Sequence, residues 1–116
     1  MHEPALQPND LERLFVERAN TGDVDGLVAL YEPDAVVADG HGNTAIGHAQ
    51  IRALFVRFLA DRSQLVASVQ AEPLRSGGIA LTSSRSGNGD VTAEVARRQP
   101  DGSWLWVVDN FALCRR

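Results

Sequence analysis

Apolar positions follow a helical period through the first half of the chain and a strand-like period through the second. Leu11, Leu14 and Phe15, with Arg18 and Ala19, fall on one side of a helix over residues 9–20. Asn9 stands where an N-cap belongs, and Glu12 completes a capping box three residues on. Thr21-Gly22 closes this helix and Asp23 caps the next, in which Val24, Leu27, Val28 and Tyr31 share a face until Pro33 forbids continuation. Ala35–Ala38 reads as a short strand ending in the carboxylate Asp39, and residues 40–44 as a Gly- and Asn-rich loop. A third helix starts at Gly47-His48, carries the stripe Ile51, Leu54, Phe55, Phe58 and Leu59, and stops near Arg62-Ser63. Beyond it the period changes, predicting strands over Leu65–Glu72, Ile79–Ser86, Val91–Gln99 and Trp104–Leu113. Pro73 with Gly77-Gly78, then Gly87-Asn88-Gly89, then Pro100-Asp101-Gly102 supply the turns. Three helices followed by a run of antiparallel strands is an α+β pattern. Such a sheet must curl around the helices to bury its apolar side, and a curled sheet capped by helices encloses a pocket.

Composition narrows the function classes. A chain of 116 residues is one domain, with residues 1–8 (two prolines, no period) expected as a flexible lead-in to a single domain over 9–116. Eleven basic residues against 15 acidic, with no basic cluster, argue against a nucleic-acid surface. There is no lysine, which removes lysine Schiff-base chemistry. No apolar run reaches the roughly 18 residues of a membrane span, and the N-terminus lacks the basic start and apolar run of a secretory signal. The single Cys114 leaves no intrachain disulfide and no Cys-rich zinc site. A cytoplasmic protein acting without membrane or nucleic acid is expected.

Candidate chemistry then reduces to a few side chains. Asp39, at the end of an apolar strand, reads either as a general base facing the pocket or as the start of an Asx turn. His41 and His48 lie close by, but their spacing with Asp39 matches no established ligand pattern, so no metal is expected. Tyr31 reads as core packing or as a phenol donor in the pocket. Glu94 sits in Val91-Thr92-Ala93-Glu94-Val95, where polarity alone turns the apolar set inward and Glu94 outward. Asp109-Asn110 interrupts an apolar strand, so one of the two is expected to point into the pocket. The last strand is apolar on both faces, Trp104 with Trp106 against Leu105 with Val107. Its outer face needs a cover, for which a second subunit of a homodimer is the natural choice.

Four pieces of sequence carry a resemblance: Gly22-Asp23-Val24-Asp25-Gly26-Leu27, Leu30-Tyr31-Glu32-Pro33-Asp34-Ala35-Val36, Gly47 with Ala49-Gln50-Ile51-Arg52, and Arg97-Arg98-Gln99-Pro100-Asp101-Gly102-Ser103-Trp104. With the element order they resemble the nuclear transport factor 2-like (cystatin-like cone) superfamily, and within it the small SnoaL-like proteins. The resemblance implies a cone-shaped α+β barrel, three N-terminal helices in the concave face of a strongly curved antiparallel sheet. It also implies an apolar pocket for a small organic ligand and no cofactor. Laid on ketosteroid isomerase, a more distant relative, Asp39 falls on the general base and Glu94 near the oxyanion-hole acid, which would turn Glu94 inward. The oxyanion-hole tyrosine falls on Phe15, which has no hydroxyl. The implied site is therefore Asp39 and Glu94 as catalytic residues, with Phe15, Tyr31, His41, Phe55 and Asp109 around the ligand. Cofactor-free isomerase, cyclase or dehydratase chemistry is one expectation. A non-catalytic binding or association module of the same fold is the other.

Overall fold

The computed structural model describes residues 2–60, 68–87 and 89–114. Helix α1 spans Asp10–Asn20 and α2 spans Val24–Val28. Strand β1 (Tyr31–Ala38) and β2 (Thr44–Ile46) lead into α3 (Gly47–Ala60). Six strands follow: β3 (Val69–Gln70), β4 (Leu74–Ser76), β5 (Ile79–Thr82), β6 (Ser84–Arg85), β7 (Val91–Arg98) and β8 (Trp104–Cys114). The expected end of the third helix at Arg62-Ser63, and residues 65–67 of the expected strand Leu65–Glu72, lie outside the described residues.

The α+β architecture is as the sequence pattern predicts, with three local corrections. Asn9 does not cap α1: its backbone is helical and its side chain makes no cap hydrogen bond. The Asp10 carboxylate instead ties the preceding turn to the helix start, accepting from the backbone N–H groups of Leu6 and Gln7 at 3.1 Å each. With no capping box formed, Glu12 is free to face the interior. Second, Tyr31 is on a strand, not on the second helix. Helix α2 ends at Val28, and the Trp106 N–H donates to the Leu30 carbonyl at 2.8 Å, which draws the chain into the sheet. Pro33 then falls within an irregular stretch of β1, between Tyr31 and Val36, where the register shifts and a missing N–H is tolerated. Third, part of the expected loop pairs with β1 as β2, and the β4–β5 hairpin adds an edge; both strands are too short to show a period.

The motif at residues 22–27 has a steric reason. Asp23 caps α2 by accepting from the Gly26 N–H at 2.9 Å. A Cβ on residue 26 would lie 2.3 Å from Asp23 Oδ2 and 2.9 Å from Arg18 Cδ, so only glycine fits. The Arg18 guanidinium is buried here and donates to the carbonyls of Gly26 (2.7 Å) and Glu3 (2.5 Å). Residues 2–8, expected as a flexible lead-in, lie against the domain: Ala5 is buried, and its carbonyl accepts from Trp104 N at 2.9 Å.

Within the described residues the sheet runs β2-β1-β8-β7-β5-β4, with β6 joining β7 and β3 joining β6. Its pairs are antiparallel except β1–β8, which is parallel. The registers align side chains in rows across the inner, helix-covered face. One row reads Ala80–Ala96–Trp106–Tyr31, all buried. The next toward the far end of the strands reads Thr82–Glu94–Asp109–Val37–Ala45, also all buried. A bulge in β8 makes this possible. Val95 opposes Val108 while Ala96 opposes Trp106, so β8 carries one extra residue there. Without it, Trp106 and Asp109 would point to opposite faces. Helices α1 and α3 close the inner face with Phe15, Phe55 and Phe58, whose rings all meet Phe111 edge-on or tilted at centroid separations of 5.6–6.2 Å, while Phe15 also meets Trp106 edge-on at 6.1 Å.

Candidate functional site

The inner face holds a set of acids in apolar surroundings. Tyr31 Oη donates to Asp109 Oδ2 at 2.5 Å, and both residues are buried. Tyr31 also packs against Phe55 and Trp106, at ring separations of 5.7 and 5.4 Å. Beside Asp109 in the row, Glu94 accepts from Thr82 Oγ1 at 2.6 Å. Trp106 Nε1 in turn donates to Thr82 Oγ1 at 3.4 Å. An indole N–H, a hydroxyl and a carboxylate thus form a relay that fixes Glu94 as an acceptor. From α1, Glu12 faces this row, half-buried and close enough to feel the Glu94 charge.

Three carboxyl groups in one low-dielectric space cannot all ionise cheaply. Burial pushes the Asp109 pKa well above the carboxylate range, and the Glu94 and Glu12 charges add to that; the Tyr31 hydrogen bond opposes it without overcoming it. Burial and the Glu94 charge raise Glu12 to about 7 from 4.5. Glu94 is raised by burial, against hydrogen bonds from Thr82 and Thr92 that favour its charged form. Tyr31 is held neutral by burial and the neighbouring Asp109. The arrangement sets an Asp109 pushed well above the carboxylate range beside a raised Glu94 and a Glu12 at about 7. That can donate and accept a proton at one place.

The residues singled out in the sequence divide into two groups. Tyr31, Glu94, Asp109, Phe15 and Phe55 come together on the inner face, and Glu94 points inward. Asp39 and His41 belong to the β1–β2 turn. The Asp39 carboxylate accepts from the His41 N–H (2.7 Å), the Asn43 N–H (3.2 Å) and Asn43 Nδ2 (2.9 Å). Slight burial raises its pKa, but those hydrogen bonds and the His41 ring bring it below the ordinary value. Asp39 continues the inward-facing register of Val37 and so stands at the rim, apart from the hydrogen bonds that join Glu94, Asp109 and Tyr31. His41 is exposed, and His48 Nε2 lies 2.8 Å from the Tyr31 carbonyl. Among the described residues no group of three or more His, Cys, Asp or Glu is arranged to hold a metal ion.

Sequence reasoning missed Glu12 and Thr82. Glu12 precedes Phe15 by three residues and Val16 by four, so it borders the inward stripe of α1, but the capping-box pattern claimed it first. Thr82 carried no signal beyond its place in a strand.

A SnoaL-like domain model matches residues 12–113, and the chain belongs to that family. A comparison with curated proteins finds no match. Among solved structures, a protein of unknown function with a cystatin-like fold from Nostoc punctiforme superposes with TM-score 0.72 at 15% identity, over 95% of this chain and 92% of its own. A ketosteroid isomerase-like protein from Erwinia carotovora atroseptica gives TM-score 0.72 at 16% identity, over 88% and 89%. A candidate dehydratase of the nuclear transport factor 2-like family from Streptomyces avermitilis gives 0.73 at 16%, over 90% and 91%. These likenesses establish the cystatin-like cone. Among the described residues no helix is long and apolar enough to cross a membrane.

The raised Glu12 fixes a sign for pH dependence. Its folded pKa of about 7 exceeds the ordinary 4.5, so the folded chain holds that proton more tightly than the unfolded chain. Stability therefore falls as pH rises between those two values. Urea unfolding midpoints should decline across that window in the native protein. Glu12→Gln should decline less and be the more stable of the two above pH 7. Identical pH profiles for the two proteins would show that Glu12 does not titrate in the acid row.

Proposed function

We propose that this SnoaL-like protein binds a small, mainly apolar organic molecule in its cone and moves a proton on it without a cofactor, as an isomerase, cyclase or dehydratase does. The observation that carries the reading is the buried Thr82–Glu94–Asp109 row beneath Tyr31 and facing Glu12. A general base works best with a pKa near the working pH, and Glu12 meets that condition where Asp39, lowered by its turn, does not. Glu12 is therefore assigned the proton acceptor. Neutral Asp109, oriented by Tyr31, is the donor to oxygen that develops negative charge. Burial raises both pKa values and the Glu94 charge adds to it. Phe15 and Phe55 supply apolar wall.

The reading is tested without knowing the substrate. Deuterium exchange at the α-carbon of a panel of apolar cyclic ketones, followed by proton NMR, should be accelerated for at least one ketone by about 100-fold or more over buffer. Glu12→Gln should lose that acceleration while Asp39→Asn keeps it. No acceleration of any ketone would favour the non-catalytic reading. Loss of activity in Asp39→Asn with retention in Glu12→Gln would return the base to Asp39.

Association through the outer face is the second part of the proposal. The registers align Leu81, Val95, Val108, Val36 and Ile46 across five strands on that face, with Leu81 48%, Val108 44% and Ile46 59% exposed. A continuous apolar stripe of this kind is costly in water and fits a second copy of the chain, stripe against stripe. Sedimentation equilibrium at micromolar concentration should give the dimer mass for the native protein and the monomer mass for Val108→Glu. A native monomer would refute the interface.

A further inference from the structure

The inner-face rows continue past the aromatic layer. Beyond Ala80–Ala96–Trp106–Tyr31, Trp104 pairs with Arg98, whose backbone N–H donates to the Gly78 carbonyl at 2.8 Å. On the neighbouring edge strand β4, Arg75 pairs with Ala80, and its guanidinium carbon lies 5.0 Å from the centroid of the Trp104 ring. Arg75, Gly78, Arg98, Gly102, Trp104 and Leu6 line a cleft of about 580 Å³. It opens at the hairpin end of β7, four residues (~13 Å) from Glu94 along the strand. The indoles of Trp104 and Trp106 lie between it and the acid row.

Among the described residues some arginines are paired with a carboxylate, while Arg75 and Arg98, like Arg57 and Arg85, form no salt bridge. Arg13 is paired with Glu3 and Glu17, Arg52 with Asp25, and Arg97 with Glu32. Neither Arg75 nor Arg98 has a carboxylate partner among the described residues, although acidic residues outnumber basic ones 15 to 11. The acids that could have served are engaged. Glu32 accepts from Arg97 and Gln99, and Asp101 accepts from the Ser103 N–H and hydroxyl. Two like charges sharing a cleft repel, and a bound anion relieves that repulsion. Gly78 completes the site by omission: a Cβ there would meet only Arg98 Cβ, at 3.9 Å, so any larger side chain would grow into open cleft.

We propose that this cleft is a second binding site, separate from the acid row, for a small oxyanion. Arg75 and Arg98 each present a planar fork of donors to it. The chemistry is shared by phosphate and carboxylate groups, and the two are told apart by the probes. Isothermal titration at constant ionic strength with inorganic phosphate and, separately, with succinate should give saturable binding of at least one. Both variants, Arg75→Gln and Arg98→Gln, change exposed side chains and should keep the native circular dichroism. Each should weaken binding by about 10-fold or more, as loss of charge-assisted hydrogen bonds does. Saturation by phosphate alone identifies a phosphate site, and saturation by succinate alone a carboxylate site. No saturable heat with either probe up to tens of millimolar, or unchanged affinity in both variants, would overturn the proposal.

Discussion

The structure turns on how a carboxyl group is kept inside an aromatic core. Asp109 is buried beside Glu94, which is itself buried, and burying two adjacent charges without cations is prohibitively costly. Among the described residues no arginine forms a salt bridge with either, and the buried Arg18 is spent on two backbone carbonyls elsewhere. The remaining solution is for Asp109 to keep its proton and for Tyr31 to satisfy one of its oxygens. Burial of this acid row thus goes with a raised Asp109 and Glu94.

Much of the fold serves that condition. The β8 bulge turns Asp109 to the same side as the two tryptophans. The parallel β1–β8 pairing brings Tyr31 alongside Trp106, within reach of Asp109. Phe15, Phe55, Phe58 and Phe111 supply the low-dielectric surroundings that raise the pKa values. Glu12 faces the row because no side-chain capping box forms at the start of α1. The outer face is left with the apolar stripe of Leu81, Val108 and Ile46.

The order of elements was legible because helical and alternating periods are long enough to count, as in Ile51–Leu54–Phe55 and in the last two strands. The inward turn of one of Asp109 and Asn110 was legible too, since a buried polar group in an apolar strand needs a partner. Other features were hidden for physical reasons. Bulges cancel the alternation by which facing is read, so the common face of Trp106 and Asp109 has no local signature. Tyr31 follows α2 at helical spacing, and only a long-range bond between Leu30 and Trp106 assigns it to the sheet. Asp39 drew notice by ending an apolar strand, yet the same position begins a turn that uses its carboxylate. Glu12 satisfied two patterns at once, and tertiary packing decided between them.

Everything said of the acid row depends on Asp109 holding its proton at neutral pH. Carbon-13 NMR of protein labelled at the aspartate side-chain carboxyl carbon, with Asp109→Asn to assign the resonance, observes that proton directly. Across pH 3 to 8 the Asp109 resonance should remain at the position of a protonated acid while Asp23, Asp39 and Asp101, lowered by their hydrogen bonds, lie at the position of the ionised form toward the upper end of that range. An Asp109 resonance that shifts with a midpoint near 4 would contradict the account.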